Sequence, residues 1–250
     1  MQIDKTVVEW AYEPNSYFEG SVKFSEKDYD ITLENGLASA TLLTQQDPVP
    51  TELLQLITER LEIIFLSRQL YVHKPFILKG FSISKIGPNG SKSVKVNICD
   101  GLMVASCTFQ ADVITTDKDG NVIHDSRVSR IADQSRQVDS ILKNIGKSEL
   151  IKSLLGSYGR AVSDPSDELV HLYEIREALS KELGGEDNAV RTLGISKNKW
   201  KRLGILANVE PLEQGRHRGK HEVRRAASQH EIREARDIAR ELIESYILTL

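Results

Sequence analysis

Arginine and histidine lie five positions apart near the C-terminal end of this chain, in the segment Arg216-His217-Arg218-Gly219-Lys220-His221. Arginine carries a permanent planar charge that can hold a phosphate, and histidine has an unperturbed pKa close to neutrality. Cleavage of an RNA phosphodiester through a 2′,3′-cyclic phosphate needs a base, an acid and a cation that stabilises the negative charge developing on the phosphate. One Arg/His pair supplies part of this set, and two pairs facing each other across a dimer would complete it.

Positive charge is concentrated around this segment, although the formal net charge of the 250-residue chain is −3. Between Lys197 and Arg225 the cations outnumber the carboxylates, which are Glu210, Glu213 and Glu222. Such a basic patch attracts phosphates and makes their binding salt-dependent; the alternative is a solvated helix surface with a basic loop. The residues predicted to bind nucleic acid are Lys199, Lys201, Arg202, Arg218, Lys220, Arg224 and Arg225.

The elements that must position this segment are helices. Apolar residues at helical spacing, together with capping and breaking residues, predict helices over about 166–183, 187–193 and 196–208, and a last helix that opens at Ala227 or Ser228. Gly184-Gly185 is predicted to end the first of them, and Ser196 to cap the third. This C-terminal part is therefore predicted to be a small helical bundle.

The first half of the chain is predicted to be β-rich. A long helix from Glu52 to about Val72 interrupts the strands, and two helices over 129–144 and 148–158 follow them. Glu34-Asn35-Gly36 and the Asp117–Asn121 loop have the composition of hairpin turns. The predicted strands are Thr6–Trp10, Tyr17–Phe24, Tyr29–Leu33, Ala38–Leu43, Pro75–Ile86, Ser93–Cys99 and Leu102–Thr115.

The predicted fold class is α+β, with a β-rich N-terminal domain that has one long packed helix, followed by an all-α bundle. The domains are predicted at 1–160, with a helical connector over about 129–160, and at 161–250. The N-terminal domain is expected to serve recognition or assembly.

The C-terminal bundle resembles the HEPN superfamily, helical domains that include ribonucleases of toxin and antiviral systems. The superfamily signature is an arginine, usually followed by a polar residue, with a histidine four to six positions after the arginine; Arg216, His217 and His221 fit it. The resemblance covers about a third of the chain. It implies Arg216 and His221 as the catalytic pair, His217 as their polar neighbour, and a homodimer with both motifs in one cleft.

Some members of the superfamily carry an acidic residue on an earlier helix, and Glu174 is the residue that the resemblance implies for this role. The sequence departs from the pattern in one respect, because Glu222 follows His221 where many members have glycine. Arg218 is an alternative to Arg216 as the phosphate ligand. A defence or toxin role is likewise implied by the resemblance alone.

No metal and no cofactor are expected. The isolated His73 and His124 lack companion ligands, and the sequence has no phosphate-cradling glycine loop and no nucleophilic serine motif. Cys99 and Cys107 are predicted to be buried free thiols, as in a reducing cytosol. No apolar stretch is long enough to span a membrane, and Met1–Lys5 lacks the apolar core of a signal peptide, so a cytoplasmic protein without membrane partners is expected.

The sequence thus predicts a metal-independent ribonuclease of HEPN type that acts on RNA as a homodimer, with a protein partner expected at the N-terminal domain. Two alternatives stay open. The first is a non-catalytic nucleic-acid-binding module that uses the same basic patch. The second is a structural or sensing subunit of a larger defence complex, in which the Arg216–His221 segment forms a salt-bridged interface with Glu210, Glu213 or Glu222.

Overall fold

The computed structural model describes residues 5–43, 48–86, 92–96 (backbone only), 112–216 and 223–250. An antiparallel sheet occupies the N-terminal region and helices follow it, so the predicted α+β class is confirmed. The strands are β1 Lys5–Glu13, β2 Val22–Ser25, β3 Tyr29–Glu34, β4 Leu37–Leu42, β5 Ile77–Ile86, β6 Lys92–Val96, β7 Ile114–Thr116 and β8 Val122–Asp125. The helices are α1 Thr51–Val72, α2 Ser126–Asn144, α3 Glu149–Ser163, α4 Glu168–Glu182, α5 Glu186–Leu193, α6 Lys197–Asn208 and α7 Gln229–Leu248.

Two compact units make up the chain: Met1–Leu61 with Phe76–Gln137, and Glu62–Pro75 with Val138–Leu250. The boundaries between them fall inside α1, between α1 and β5, and inside α2. We call the first the sheet unit and the second the helical unit. The helical unit includes residues 62–75 and 138–160, which the sequence assigned to the N-terminal domain. The predicted division into domains 1–160 and 161–250 stays a prediction.

In the described part of the sheet unit, six strands pair antiparallel in the order β2-β3-β4-β1-β5-β6. From Val8 to Tyr12, alternate side chains of β1 are buried, because successive residues of a strand point to opposite faces; Val8, Trp10 and Tyr12 are at most 2% exposed. The Trp10 ring lies 5.7 Å from that of Phe81 on β5. The predicted hairpin at residues 34–36 joins β3 to β4, and the one at residues 117–121 joins β7 to β8.

One strand prediction in this unit is wrong over most of its length. Residues 17–24 were expected to be extended, but β2 begins only at Val22. Tyr17 and Phe18 are instead in a turn, with their rings 5.5 Å apart and Phe18 6.2 Å from the ring of Tyr12. Aromatic residues favour strands because they pack well on a pleated, half-buried surface, and here they fill the core from a turn.

The predicted strands near the middle of the chain lie mostly outside the described residues. Of Leu102–Thr115, only residues 112–115 are described, and the last two of them fall in β7. Cys99 and Cys107 both lie outside the described residues, so the prediction of buried thiols stays a prediction. Within the described ranges, no helix is long and apolar enough to cross a membrane.

Helices α4 and α7 are the central elements of the helical unit, since they contact each other and each contacts α3, α5 and α6. In α4, Leu169, Leu172, Ile175 and Leu179 have no exposed surface, which is the stripe expected of a helix with a buried face. Two positive-φ glycines, Gly184-Gly185 (φ 77° and 111°), follow α4 and let the chain reverse into α5. The predicted end of this helix is therefore confirmed.

The serines predicted at two helix starts act as caps. The Ser196 side chain accepts a hydrogen bond from the Lys199 backbone N–H at the start of α6. At the start of α7, Ser228 and Glu231 form a reciprocal capping box. Because both caps are local, sequence reasoning could find them.

A buried polar cluster lies within the helical unit, at the end of α1. His73 follows that helix with φ 46°, a conformation uncommon for residues other than glycine. Its ring nitrogens lie 3.3 Å from the Tyr158 hydroxyl and 3.4 Å from the Glu168 carboxylate. Arg236 donates to both oxygens of Glu168, which is 2% exposed. Burial and the positive charge of Arg236 lower the pKa of His73 to about 4, so the ring is neutral at pH 7.

Candidate functional site

The segment between α6 and α7 carries the Arg/His motif, and its two described ends are tied together. The Glu213 backbone N–H donates to the Arg225 carbonyl (3.0 Å), and the Arg225 N–H donates to the Pro211 carbonyl (2.9 Å). The Arg216 N–H donates to the Ala207 carbonyl near the end of α6 (2.8 Å). These bonds fix the backbone from which Arg216 projects.

A glycine is required at position 215, next to the Arg216 N–H bond to Ala207. A Cβ atom at Gly215 would lie 2.9 Å from the Ala207 carbonyl oxygen and 3.3 Å from that of Leu212. Both neighbours are backbone atoms, which cannot rotate away as a flexible side chain can. The close approach of the segment to α6 therefore depends on Gly215.

The Arg216 side chain is held against α4. Its Nη1 donates to Glu177 Oε1 at 2.7 Å, and its Cζ lies 5.1 Å from the ring centroid of Tyr173. The side chains of Arg216 and Glu177 are 37% and 48% exposed. An ion pair as exposed as this one is worth about 0–1 kcal/mol, so another anion can replace the carboxylate at little cost.

The rest of the motif lies outside the described residues, namely His217, Arg218, Lys220 and His221. Their predicted roles stay predictions.

An open cavity of about 530 Å³ adjoins the Arg216 contact. Its lining residues on and after α4 are Tyr173, Arg176, Glu177, Ser180, Lys181, Gly184, Gly185 and Glu186. Tyr173 and Glu177, the two residues that hold Arg216, are both in this lining. The cavity has the volume typical of small-ligand sites. Arg216 therefore contacts two residues of the cavity lining.

A second arginine, Arg176, contacts the Tyr173 ring at the wall of the cavity. The Cζ of Arg176 lies 5.1 Å from the Tyr173 ring centroid and 4.9 Å from that of Trp200. Arg176 also donates to the Tyr173 hydroxyl (2.8 Å) and to Glu186 (2.9 Å). Cation–π contacts of this kind stabilise a fixed ring position. Tyr173 is thereby presented in one orientation.

Glu174, the predicted acidic partner of the motif, contacts a different group of residues. It accepts hydrogen bonds from Arg160 (3.0 Å) and Ser157 (3.3 Å) on α3, and it lies 3.6 Å from His171. Burial raises the pKa of Glu174, but the hydrogen bond and charge of Arg160 outweigh burial and lower it. The structure therefore brings Glu177, and not Glu174, to Arg216.

The described cations of the basic patch are largely paired with carboxylates of other elements. The pairs are Lys199 with Glu241 (2.6 Å), Arg202 with Glu234 (2.9 Å), and Arg225 with Glu231 (2.7 Å). All three carboxylates lie on α7, outside the 197–225 stretch whose charges the sequence compared. Lys201 and Arg224 are exposed and form no ion pair within the described ranges.

The Arg225–Glu231 pair is part of the fold. Both nitrogens Nη1 and Nη2 of Arg225 donate to Glu231, which also accepts from the Ser228 backbone and hydroxyl at the start of α7. The hydrogen bonds from Arg225, reinforced by those from Ser228, lower the pKa of Glu231 to about 2. An arginine engaged in this way is poorly suited to bind a phosphate.

Among the described residues, no group of three or more His, Cys, Asp and Glu side chains is placed to hold a metal ion. Comparison of the chain with family models, with curated proteins and with solved structures found no match.

Proposed function

We propose that the helical unit is a metal-independent endoribonuclease of the HEPN type, in which Arg216 binds the scissile phosphate and His221 transfers protons. The observation that carries the proposal is the environment of the Arg216 guanidinium. It is partly exposed, lies beside an open cavity, and is engaged by an ion pair that a phosphate can replace. A guanidinium has five N–H donors in a planar fork, which suits two phosphate oxygens.

The reaction is a transesterification. The 2′-oxygen attacks the phosphorus while an imidazole takes the 2′-hydroxyl proton. The bond to the 5′-oxygen breaks, and this oxygen takes a proton from an imidazolium. Arg216 stabilises the charge on the phosphoryl oxygens. One His221 supplies one of these two proton transfers, so the proposal includes a homodimer in which a second copy supplies the other.

The proposal is tested by incubating the full chain with labelled single-stranded RNA, with and without a chelator. Cleavage that leaves 2′,3′-cyclic phosphate ends and is insensitive to chelation is expected. His221→Ala should abolish cleavage and retain RNA binding. His230→Ala, an exposed histidine on α7, is the matched control and should cleave like the wild type. Absence of cleavage by the wild type at high protein concentration would overturn the proposal.

A non-catalytic role in assembly is the second candidate function. It is favoured by the ion pairs of Arg216, Arg202 and Arg225, which leave less free positive charge than the sequence suggests. In that case RNA binding would be weak, and the oligomeric state would change when Glu177 is substituted. A change of oligomeric state in Glu177→Ala, measured by size-exclusion chromatography with light scattering, together with no RNA cleavage by the wild type, distinguishes this candidate from the ribonuclease.

A further inference from the structure

The Glu177 carboxylate changes its role if Arg216 binds a phosphate. In the free protein Glu177 accepts the hydrogen bond of Arg216 at 2.7 Å and is 48% exposed. When the guanidinium turns to a phosphate, this carboxylate is left at the cavity wall without that cation. A carboxylate accepts hydrogen bonds and donates none, so it is then best satisfied by a ligand with N–H donors.

The other carboxylate of the cavity is less available. Glu186 accepts a hydrogen bond from Arg176 at 2.9 Å, and the Arg176 side chain is only 14% exposed. Arg176 is in addition stacked between Tyr173 and Trp200. Breaking this pair would leave a largely buried cation uncompensated, which is costly. Glu177 is therefore the acceptor that a ligand can use.

The Tyr173 ring provides a stacking surface in the same cavity. Arg216 lies over this ring in the free protein, 5.1 Å from its centroid. Movement of Arg216 to a phosphate would uncover the ring, and a nucleobase can stack on a tyrosine in place of the guanidinium. A phosphate ligand, a stacking ring and an acceptor thus lie within one site.

We propose that this cavity binds a guanine base of single-stranded RNA, next to the phosphate held by Arg216. Guanine presents two adjacent donors, N1–H and N2–H, which match the two oxygens of Glu177. Adenine and cytosine present an acceptor beside their donor, and uracil flanks its one donor with acceptors, so each would place an oxygen or nitrogen lone pair against the carboxylate. The inference rests on the proposed function for the phosphate at Arg216.

The test measures binding without cleavage. Uridine oligomers with one central guanine, adenine, cytosine or uridine carry 2′-O-methyl groups, which remove the attacking hydroxyl, and their affinity for the full chain is measured by fluorescence polarisation. The guanine oligomer should bind about tenfold more tightly than the others, as expected for a two-bond base contact. Equal affinities for the four oligomers would overturn the inference.

Two variants assign the preference to the cavity. Glu177→Gln replaces one acceptor by a donor, so the guanine preference should fall to within about twofold while binding of the uridine oligomer is kept. Glu182→Gln changes an exposed carboxylate at the end of the same helix and should keep the full preference. Retention of the preference in Glu177→Gln would contradict the inference.

Cleavage assays with the matching 2′-hydroxyl oligomers separate this inference from the proposed ribonuclease activity. Cleavage by the wild type without a guanine preference in binding would overturn the guanine site and leave the ribonuclease intact. A Glu177-dependent guanine preference without cleavage would overturn the ribonuclease and support the guanine site as a binding site.

Discussion

Arg216 and Arg225 belong to the same segment between α6 and α7 but differ in how firmly they are engaged. Arg216 pairs with a half-exposed carboxylate on another helix, whereas Arg225 makes two hydrogen bonds to the capping residue Glu231. The first arrangement leaves a guanidinium that can exchange partners. The second fixes the start of α7. The sequence shows both residues only as cations of one basic patch.

Paired substitutions should separate these roles. Arg216→Ala should change the free energy of unfolding by no more than about 1 kcal/mol, since it removes an exposed ion pair, while RNA cleavage is lost. Arg225→Ala should lower the melting temperature, because Glu231 loses the cation that lowers its pKa, and should cleave RNA while folded. Circular dichroism melts and the RNA assay measure both. Equal losses of stability in the two variants would contradict this distinction.

At the scale of single elements, α4 determines which residues reach the motif. Tyr173 and Glu177 are one helical turn apart and face Arg216, whereas Glu174 faces α3. Sequence periodicity predicted this helix, but not which of its polar faces meets the segment between α6 and α7. The four-residue spacing of Tyr173 and Glu177, which places both on one face of α4, was the available sequence signal. It points to a site only once Arg216 is known to contact that face.

A single methyl group added at Gly215 in the α6–α7 segment should lower both the stability of the protein and its cleavage of RNA. Gly215→Ala would place Cβ 2.9 Å from the Ala207 carbonyl oxygen, so the backbone must shift and the Arg216 N–H bond to that oxygen should weaken. We expect a destabilisation of about 1–3 kcal/mol and a loss of RNA cleavage. Urea unfolding and the RNA assay measure these effects.

Gly146→Ala is the matched control for Gly215→Ala. A Cβ atom at Gly146 meets nothing within 4 Å. This variant should unfold and cleave RNA like the wild type. A Gly215→Ala protein that matches it in both assays would show that the close approach to Ala207 is unimportant.

Much of the fold could be predicted because its signals are local. Caps at Ser196 and Ser228, the Gly184-Gly185 helix end and the hairpin turn at residues 34–36 act within a few residues of the chain. Residues 17 and 18 were predicted to lie in a strand and not in a turn, because buried aromatic residues occur in both. Of the residues that meet at the candidate site, only Arg216 was predicted from the sequence. Its partners Tyr173 and Glu177 come from a distant part of the sequence.

At the scale of the whole molecule, the compact units do not follow the order of the chain. Residues 62–75 belong to the helical unit, although they lie in the chain between the two segments of the sheet unit, 1–61 and 76–137. Leu70 and Tyr158 are at most 2% exposed in the helical core, and both precede residue 161. Sequence composition changes near residues 163–168, and this change marks a turn between α3 and α4, which pack together.

Stability against pH should depend on His73 in the helical unit. An unfolded imidazole binds a proton below about pH 6.5, whereas the folded ring stays neutral down to about pH 4. The unfolded state therefore binds more protons between these values, and stability rises with pH across this window. The contribution is on the order of 2–3 kcal/mol, and it is lost as pH falls to 4.

His73→Asn tests this contribution, since asparagine tolerates the positive φ of this position. Urea unfolding at pH 4.5 and at pH 7 should show a smaller difference in free energy for the variant than for the wild type. The carboxylates and the other histidines that titrate over the same range are common to both proteins, so those that do not contact His73 cancel in the comparison. If the difference in unfolding free energy between the two pH values is the same in both proteins, His73 does not contribute to the pH dependence of stability.

The two tryptophans of the chain lie in different units, Trp10 in the sheet unit and Trp200 in the helical unit, and both are at most 2% exposed. The tryptophan fluorescence of the protein is therefore the sum of two buried indoles, one per unit. Trp10→Phe leaves a single indole, stacked on Arg176. Its emission would then follow the unfolding of the helical unit, and the binding of ligands near Tyr173, without any attached dye.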